Sequence, residues 1–277
     1  MVARSWILGC LVFWTAGCAQ QPVTVRADAP DAPDPAVAAS ADVDPETVIE
    51  RSDSTHLLAP KQVVRIDNPF GDVRIRFGGY ESQLEWRGVA QNSGSEHKLS
   101  AIGSATEAFE IAVRLPAGTT VIPGQRLDLT AYVPEGHDLQ INTEQGLIEV
   151  RGLHANVYAR SRSGDISFRG IRGLVDVETG GGNIEGQLNK APAGSQQRVA
   201  TQTGTIILGL VDELNAALTL ATSGVFATDF SIHIDPQPGQ EPNKTARAEI
   251  GKPEANIEVV SKRGEIRLLR RLGFRPA

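Results

Sequence analysis

The chain of 277 residues predicts an all-β fold: a parallel β-solenoid of the single-stranded β-helix kind, with an N-terminal β layer as its cap. Three observations predict it. Six glycines, Gly146, Gly164, Gly182, Gly204, Gly224 and Gly264, each separate two alternating runs. Two residues after each stands a bulky apolar side chain: Ile148, Ile166, Ile184, Ile206, Phe226 and Ile266. Three residues before each stands a small one: Thr143, Ser161, Thr179, Thr201, Ala221 and Ser261. Recurrence at a nearly fixed period marks stacked repeats, each burying its apolar face on the next. With 28 glycines and only 5% aromatics, the composition suits a turn-rich β protein with small inward side chains.

Residues 1–17 read as a secretory signal. Arg4 precedes the apolar run Trp6–Trp14, which is too short to span a bilayer. Thr15-Ala16-Gly17-Cys18 resembles the end of a bacterial lipoprotein signal. The resemblance implies cleavage before Cys18 and diacylglycerol on its sulfur; an ordinary secretory cut after Ala19 is the alternative. Because Ala19 is not aspartate, the same resemblance points to the outer membrane of a Gram-negative cell, with the membrane as a partner through the Cys18 anchor. Both cysteines, Cys10 and Cys18, lie in this stretch, so a lipidated mature chain has no cysteine left for a disulfide. Residues 18–50 read as an acidic Pro/Ala tether without periodicity, unable to bury enough apolar surface to order itself. Seven acids and one base lie in 19–50; the remainder, 51–277, is nearly neutral with 25 bases and 26 acids. No charge bias argues for nucleic acid, and no nucleic-acid partner is expected.

Residues 58–137 read as the N-terminal β layer. Val64, Ile66, Gly71, Val73 and Ile75 repeat the glycine pattern, a seventh copy. Gln83–Val89, Phe109–Leu115 and Leu127–Val133 alternate with period two and predict strands; Thr106–Ala112 is also compatible with a short helix. The repeats span 138–270, with Val157, Ala159, Val175 and Val177 inward and Tyr158, Arg160, Asp176 and Glu178 outward. Around Gly224 the apolar residues Leu218 and Leu220 are one position out of register, which predicts a bulge. Asp235–Lys244 is Pro-rich and predicts a loop bulging from one coil. Lys262–Pro276 is rich in Lys and Arg, and 271–277 reads as a basic tail.

Three stretches are similar to a bacterial envelope family known as "putative adhesin", a domain of otherwise unknown function. They are Leu127–Gly136 (LDLTAYVPEG), Ile141–Gly173 and Ile257–Leu268 (IEVVSKRGEIRL). With the Gly71 copy the likeness covers about 60–277. It implies a β-solenoid in secreted or lipid-anchored proteins and supplies no catalytic residues.

The chemistry-bearing residues are few. His56, His97, His137, His154 and His233 show no metal-ligand spacing, and no cofactor is expected. There is no nucleophile elbow and no P-loop; Gly180-Gly181-Gly182 lacks the helix that would hold a phosphate. Glu149 and Glu185 share one repeat offset with Ser167 between them, and Asp165 and Asp176 form a second candidate acid pair. Arg151 and Arg169 each follow a repeat glycine by five residues and should stack about 4.8 Å apart. Like charges opposed across strands are destabilising, so these two, with Arg160 and Arg162 nearby in sequence, form a candidate anionic-ligand patch. The reading is a non-enzymatic, lipid-anchored envelope protein presenting a β-solenoid for binding or scaffolding, with an envelope polysaccharide or protein as partner. A polysaccharide-active β-helix enzyme and an accessory of envelope stress signalling are the alternatives.

Overall fold

The computed structural model describes residues 47–93 and 97–271. The expected signal segment, Cys18, the expected tether as far as residue 46 and the last six residues, Arg275 among them, lie outside the described residues; Thr47–Glu50, expected as the end of the tether, instead begin β1. The chain runs through β1 (Thr47–Leu57), β2 (Val63–Asp67), β3 (Val73–Phe77), β4 (Gln83–Ser93), β5 (Ser100–Ala105), β6 (Ala108–Arg114) and β7 (Arg126–Val133). It continues through β8 (Leu139–Thr143), β9 (Ile148–Arg151), β10 (Val157–Ser161), β11 (Ile166–Arg169), β12 (Val175–Thr179), β13 (Ile184–Leu188), β14 (Gln196–Thr201) and β15 (Ile206–Leu210). After a 3₁₀ turn, Asp212–Leu214, come β16 (Ala216–Thr222), β17 (Phe226–Thr228), β18 (His233–Pro236), β19 (Lys244–Ile250), β20 (Ala255–Ser261) and β21 (Ile266–Arg270). The fold is all-β, with no α-helix among the described residues.

These strands form two large, mostly parallel sheets. One has the order β1-β4-β7-β3-β9-β11-β13-β15-β21-β17. The other has the order β18-β19-β16-β20-β14-β12-β10-β8-β2-β6-β5. A rung is a pair of consecutive strands, one in each sheet, joined at a corner. The residue two places after each repeat glycine becomes a single ladder: Val73, Ile148, Ile166, Ile184, Ile206, Ile266 and Phe226 are neighbours in that order. All but Phe226 are buried. Each such side chain contributes about 1.5–3 kcal/mol on leaving water, and identical shapes stacked one above another leave little void. Where the next ladder brings in Phe168, its neighbour is Gly186, whose missing Cβ makes the space for the ring.

Before most corners stands a hydroxyl that bonds backbone; Thr143, before Gly146, makes no such bond. Thr179 Oγ1 accepts from the Gly182 amide and donates to the Gly164 carbonyl of the preceding rung, at 3.2 and 2.8 Å. Thr201 and Ser261 repeat this on Gly204 and Gly264. At the seventh copy, Asn68 replaces the hydroxyl: its amide donates to the Leu127 carbonyl and its oxygen accepts from Phe70. At these corners a side chain supplies the bond that the buried backbone needs.

Sequence order and spatial order agree from β8 to β15 and part at both ends. The last rung in the chain, β20–β21, lies inside β16–β17. Likewise β6–β7 lies outside β2–β3, so the 58–137 segment is no separate layer but continues both sheets. Antiparallel strands finish the ends: β4 on β7 and β1 on β4, β5 on β6, and β19 on β16. Thr106–Ala112 is not helical, since β6 takes up Phe109, Ile111 and Val113 as inward residues. Around Gly224 there is no bulge in the strand. Instead the corner is one residue shorter, so Thr222, not Ala221, takes the hydroxyl role, bonding the Gly224 amide and the Gly264 carbonyl. The Pro-rich loop is the turn of a hairpin between β18 and β19. The basic C-terminal stretch is ordered through Arg270 as β21, an interior strand.

Candidate functional site

The outer face of the first sheet carries a row of guanidinium groups. In strict register Arg76 on β3 lies beside Arg151 on β9, which lies beside Arg169 on β11. Neighbouring strands are about 4.8 Å apart, so three cations span roughly 10 Å. One carboxylate serves two of them. Glu149, buried on β9, receives Arg76 Nη2 on Oε2 at 2.5 Å and Arg151 Nη2 on Oε1. Arg74, beside Glu149, is taken by Asp72 at 2.7 Å. Among the described residues Arg169 has no carboxylate partner. Arg151 has a second deficit: its Nε is buried without a hydrogen-bond acceptor. Its pKa is accordingly lowered, first by loss of water around the group and then by repulsion from Arg169 and Arg76.

The row continues beyond Arg169. The next position along is Gln187 on β13, then Gly209 on β15. Arg271 lies across Gly209, its Cγ occupying the space a Cβ there would need. In the other direction Tyr132 on β7 adjoins Arg76. Phe77 stacks on His154 with ring centroids 4.6 Å apart, and Phe77, Tyr80 and Tyr132 all keep large exposed areas. The sequence reading missed Arg76 and Arg271. Arg76 carried a signal: it stands five residues after Gly71, the offset of Arg151 from Gly146 and Arg169 from Gly164. Arg271 carried none, because it stands seven residues after Gly264, off the shared offset, and reaches the row sideways from the end of β21 beside β15.

Arg160 and Arg162 do not join this row. Arg160 lies on β10 in the other sheet, where it meets Asp176 at 3.0 Å and approaches Glu178. Arg162 sits at the following corner and pairs with Glu144 at 3.2 Å. The candidate acid pairs are also separated by structure. Glu149 and Glu185 are two rungs apart with Ser167 between. Asp165 caps the Asn183 amide at 2.7 Å, whereas Asp176 faces outward from β12 beside Arg160. Of the C-terminal bases, Arg263, Arg267 and Arg270 pair with Glu241, Glu265 and Asp212. Among the described residues no three His, Cys, Asp or Glu side chains are grouped to hold a metal ion.

No protein-family model matches the chain, and no curated protein matches it. Solved structures are similar to it, two of which follow. One is a "putative cell adhesion protein" from Clostridium sporogenes, 13% identical, spanning 80% of this chain and 100% of that one, with a TM-score of 0.43. The other is a "putative adhesin" from Bacteroides fragilis, 8% identical, spanning 79% and 97%, with a TM-score of 0.40. The functional reading of this chain rests on its own residues.

A cleft of about 480 Å³ opens on the same outer face nearer the β1 end, lined by Asp53, Thr55, Glu85, Arg87, Thr130 and Tyr132. Asp53 is bound to Arg87. Glu85 lies in register with Thr55 and Tyr132.

Proposed function

We propose that the chain is a non-enzymatic, lipid-anchored envelope protein whose β-solenoid binds an anionic polymer or an acidic partner along the Arg76–Arg151–Arg169 row. The observation that supports this reading is the charge imbalance of the row: of three stacked guanidiniums, two share the carboxylate of Glu149 and Arg169 has none among the described residues. Stacked like charges cost stability, and an extended anion laid across the strands offsets that cost at each rung. The exposed rings of Phe77, Tyr80 and Tyr132 add flat apolar contact at one end, suited to sugar rings. Anchoring at Cys18 in the outer membrane holds the face within reach of envelope polymers.

The test uses the full-length chain and dextran sulfate as the polyanion probe. Arg151→Ala combined with Arg169→Ala lowers binding at least tenfold, and the wild-type affinity falls as salt rises. Binding unchanged by the double substitution sinks the reading. For the anchor, Cys18→Ala shifts the chain from the membrane to the soluble fraction; unaltered fractionation and processing sink that part.

A polysaccharide-active enzyme is the second reading, and the cleft beside Tyr132 is what favours it. Asp53 and Glu85 stand diagonally across β1 and β4, and both line the cleft, as the paired carboxylates of glycoside hydrolysis must. Release of new reducing ends from envelope polysaccharide, abolished by Glu85→Gln, would replace the first reading with this one.

A further inference from the structure

Four strands end the two sheets, and three of them are poor templates for pairing. Strand β17 has three residues, β18 has four and ends in Pro236, and β5 has six. The fourth, β1, has eleven. It is bonded to β4 along its whole length, and among the described residues no strand pairs with its other edge. A long regular edge with free amides and carbonyls is what proteins normally shorten, bend or cover. Here Ile49 and Leu57 also stand 60% and 72% exposed along it.

The side-chain order of β1 selects the occupant. A two-fold axis perpendicular to a sheet places one residue of an antiparallel pair opposite its own copy. Full overlap of all eleven residues puts Ser52 on that axis. Each other residue is then fixed by symmetry: Arg51 opposes Asp53 of the second copy, twice, and Ile49 opposes Thr55. Centring on Glu50, Arg51 or Asp53 would set like charges against each other and shorten the overlap. Arg51 has no acidic partner among the described residues, whereas Asp53 already holds Arg87. Pairing about Ser52 would therefore produce an alternating row, Arg87, Asp53, then Arg51 of the second copy. Ser52 itself is exposed and small, so nothing obstructs the axis.

We propose that β1 is the interface of a symmetric homodimer, in which two copies join edge to edge through antiparallel β1 strands centred on Ser52. The first sheets of both copies then form one continuous sheet. The argument is independent of the arginine row, which lies on the other side of β4 and β7.

The test is cysteine cross-linking in the full-length chain, within isolated envelopes, with copper-phenanthroline and dioxygen as oxidant. Directly opposed residues have Cα atoms about 4.5–5.5 Å apart, inside the range a disulfide spans. Ser52→Cys therefore yields a band of twice the chain mass at least tenfold above wild type. Thr55→Cys, some 20 Å from its own copy at six residues' offset, gives no such band. Arg51→Asp sets an acid of the second copy against each Asp53 and reduces the Ser52→Cys band severalfold. A monomeric wild-type chain in sedimentation of the detergent-solubilised protein at about 100 μM overturns the proposal. So does equal cross-linking at residues 52 and 55, or a Ser52→Cys product of any mass other than the doubled one.

Discussion

A Cβ added at Gly204 would stand 1.9 Å from the carbonyl oxygen of Gly182 on the neighbouring rung. The same collision awaits Gly164, Gly182 and Gly264. Of the six repeat glycines only Gly146 has a positive φ, +93°. A left-handed backbone therefore calls for glycine at one of these corners; at the others glycine is needed because two backbones touch. The distinction has a measurable consequence. Gly204→Ala forces carbon into a backbone carbonyl and destabilises by about 3 kcal/mol. Gly194→Ala, at φ +73° with open space around it, costs only about 1 kcal/mol of left-handed strain. Urea denaturation of the two variants separates these outcomes, and equal losses would return the explanation to φ. The corner hydroxyls permit a matching comparison. Thr201→Val leaves the Gly182 carbonyl and the Gly204 amide unpaired inside the protein and costs about 1–3 kcal/mol. Thr143 Oγ1 is buried with no partner, so Thr143→Val is neutral or stabilising. From sequence these positions were legible as small, because alternation fixes which face they occupy. That they had to be hydroxyls was not, since the bond partner belongs to another rung.

At the scale of the strand, β3, β9 and β11 carry opposing demands. Their inward residues stack like with like, which is favourable for Ile148 on Ile166 and unfavourable for Arg151 on Arg169. A repeat with its register locked by the core has no freedom to stagger the outer charges. Arg169→Gln removes one cation without touching the Arg76–Glu149–Arg151 ion pairs. It therefore raises the melting temperature in low-salt buffer, and the gain shrinks toward zero near 1 M salt, where the Debye length is only about 3 Å. The lowered pKa of Arg151 has the same sign: its charged form is disfavoured first by loss of water and then by Arg169 and Arg76, so removing Arg169 relieves the smaller, repulsive part at any pH where arginine is charged. The same variant binds dextran sulfate more weakly. A variant less stable than wild type at low salt would show that the row is internally compensated and would remove the reason to expect a ligand. The stacking of Arg151 and Arg169 was legible because both share one offset from a glycine. The grouping with Arg160 and Arg162 was not a spatial one: proximity in sequence crosses a corner, and every corner moves the chain to the opposite sheet.

For the whole molecule, the order of rungs along the stack differs from their order in the chain. The 40 residues between Gly224 and Gly264 read as one coil with a Pro-rich loop bulging from it; they hold β17 of the outer rung, the β18–β19 hairpin that finishes the second sheet, and β20. Spacing reveals that rungs exist, but only the need to cover open ends decides where each one lies. The N-terminal end obeys the same rule, with β6–β7 outside β2–β3 and three further strands antiparallel beyond them. This arrangement alters how the chain fails. In a sequential stack, removing the last repeat exposes one interface and leaves the rest intact. Here a chain ending after Ile250 loses β20 and β21 from the interior, together with the buried Ile257, Val259, Ile266 and Leu268. Both β14–β15 and β16–β17 lose their shared neighbour at once. Hydrogen exchange on the truncated chain is expected to show amides of β16 and β19 fully unprotected, with protection retained in β8 to β13. Persistent protection of β16 would mean that it had re-paired directly with β14, in which case the spatial order is set by sequence complementarity of rungs and not by capping.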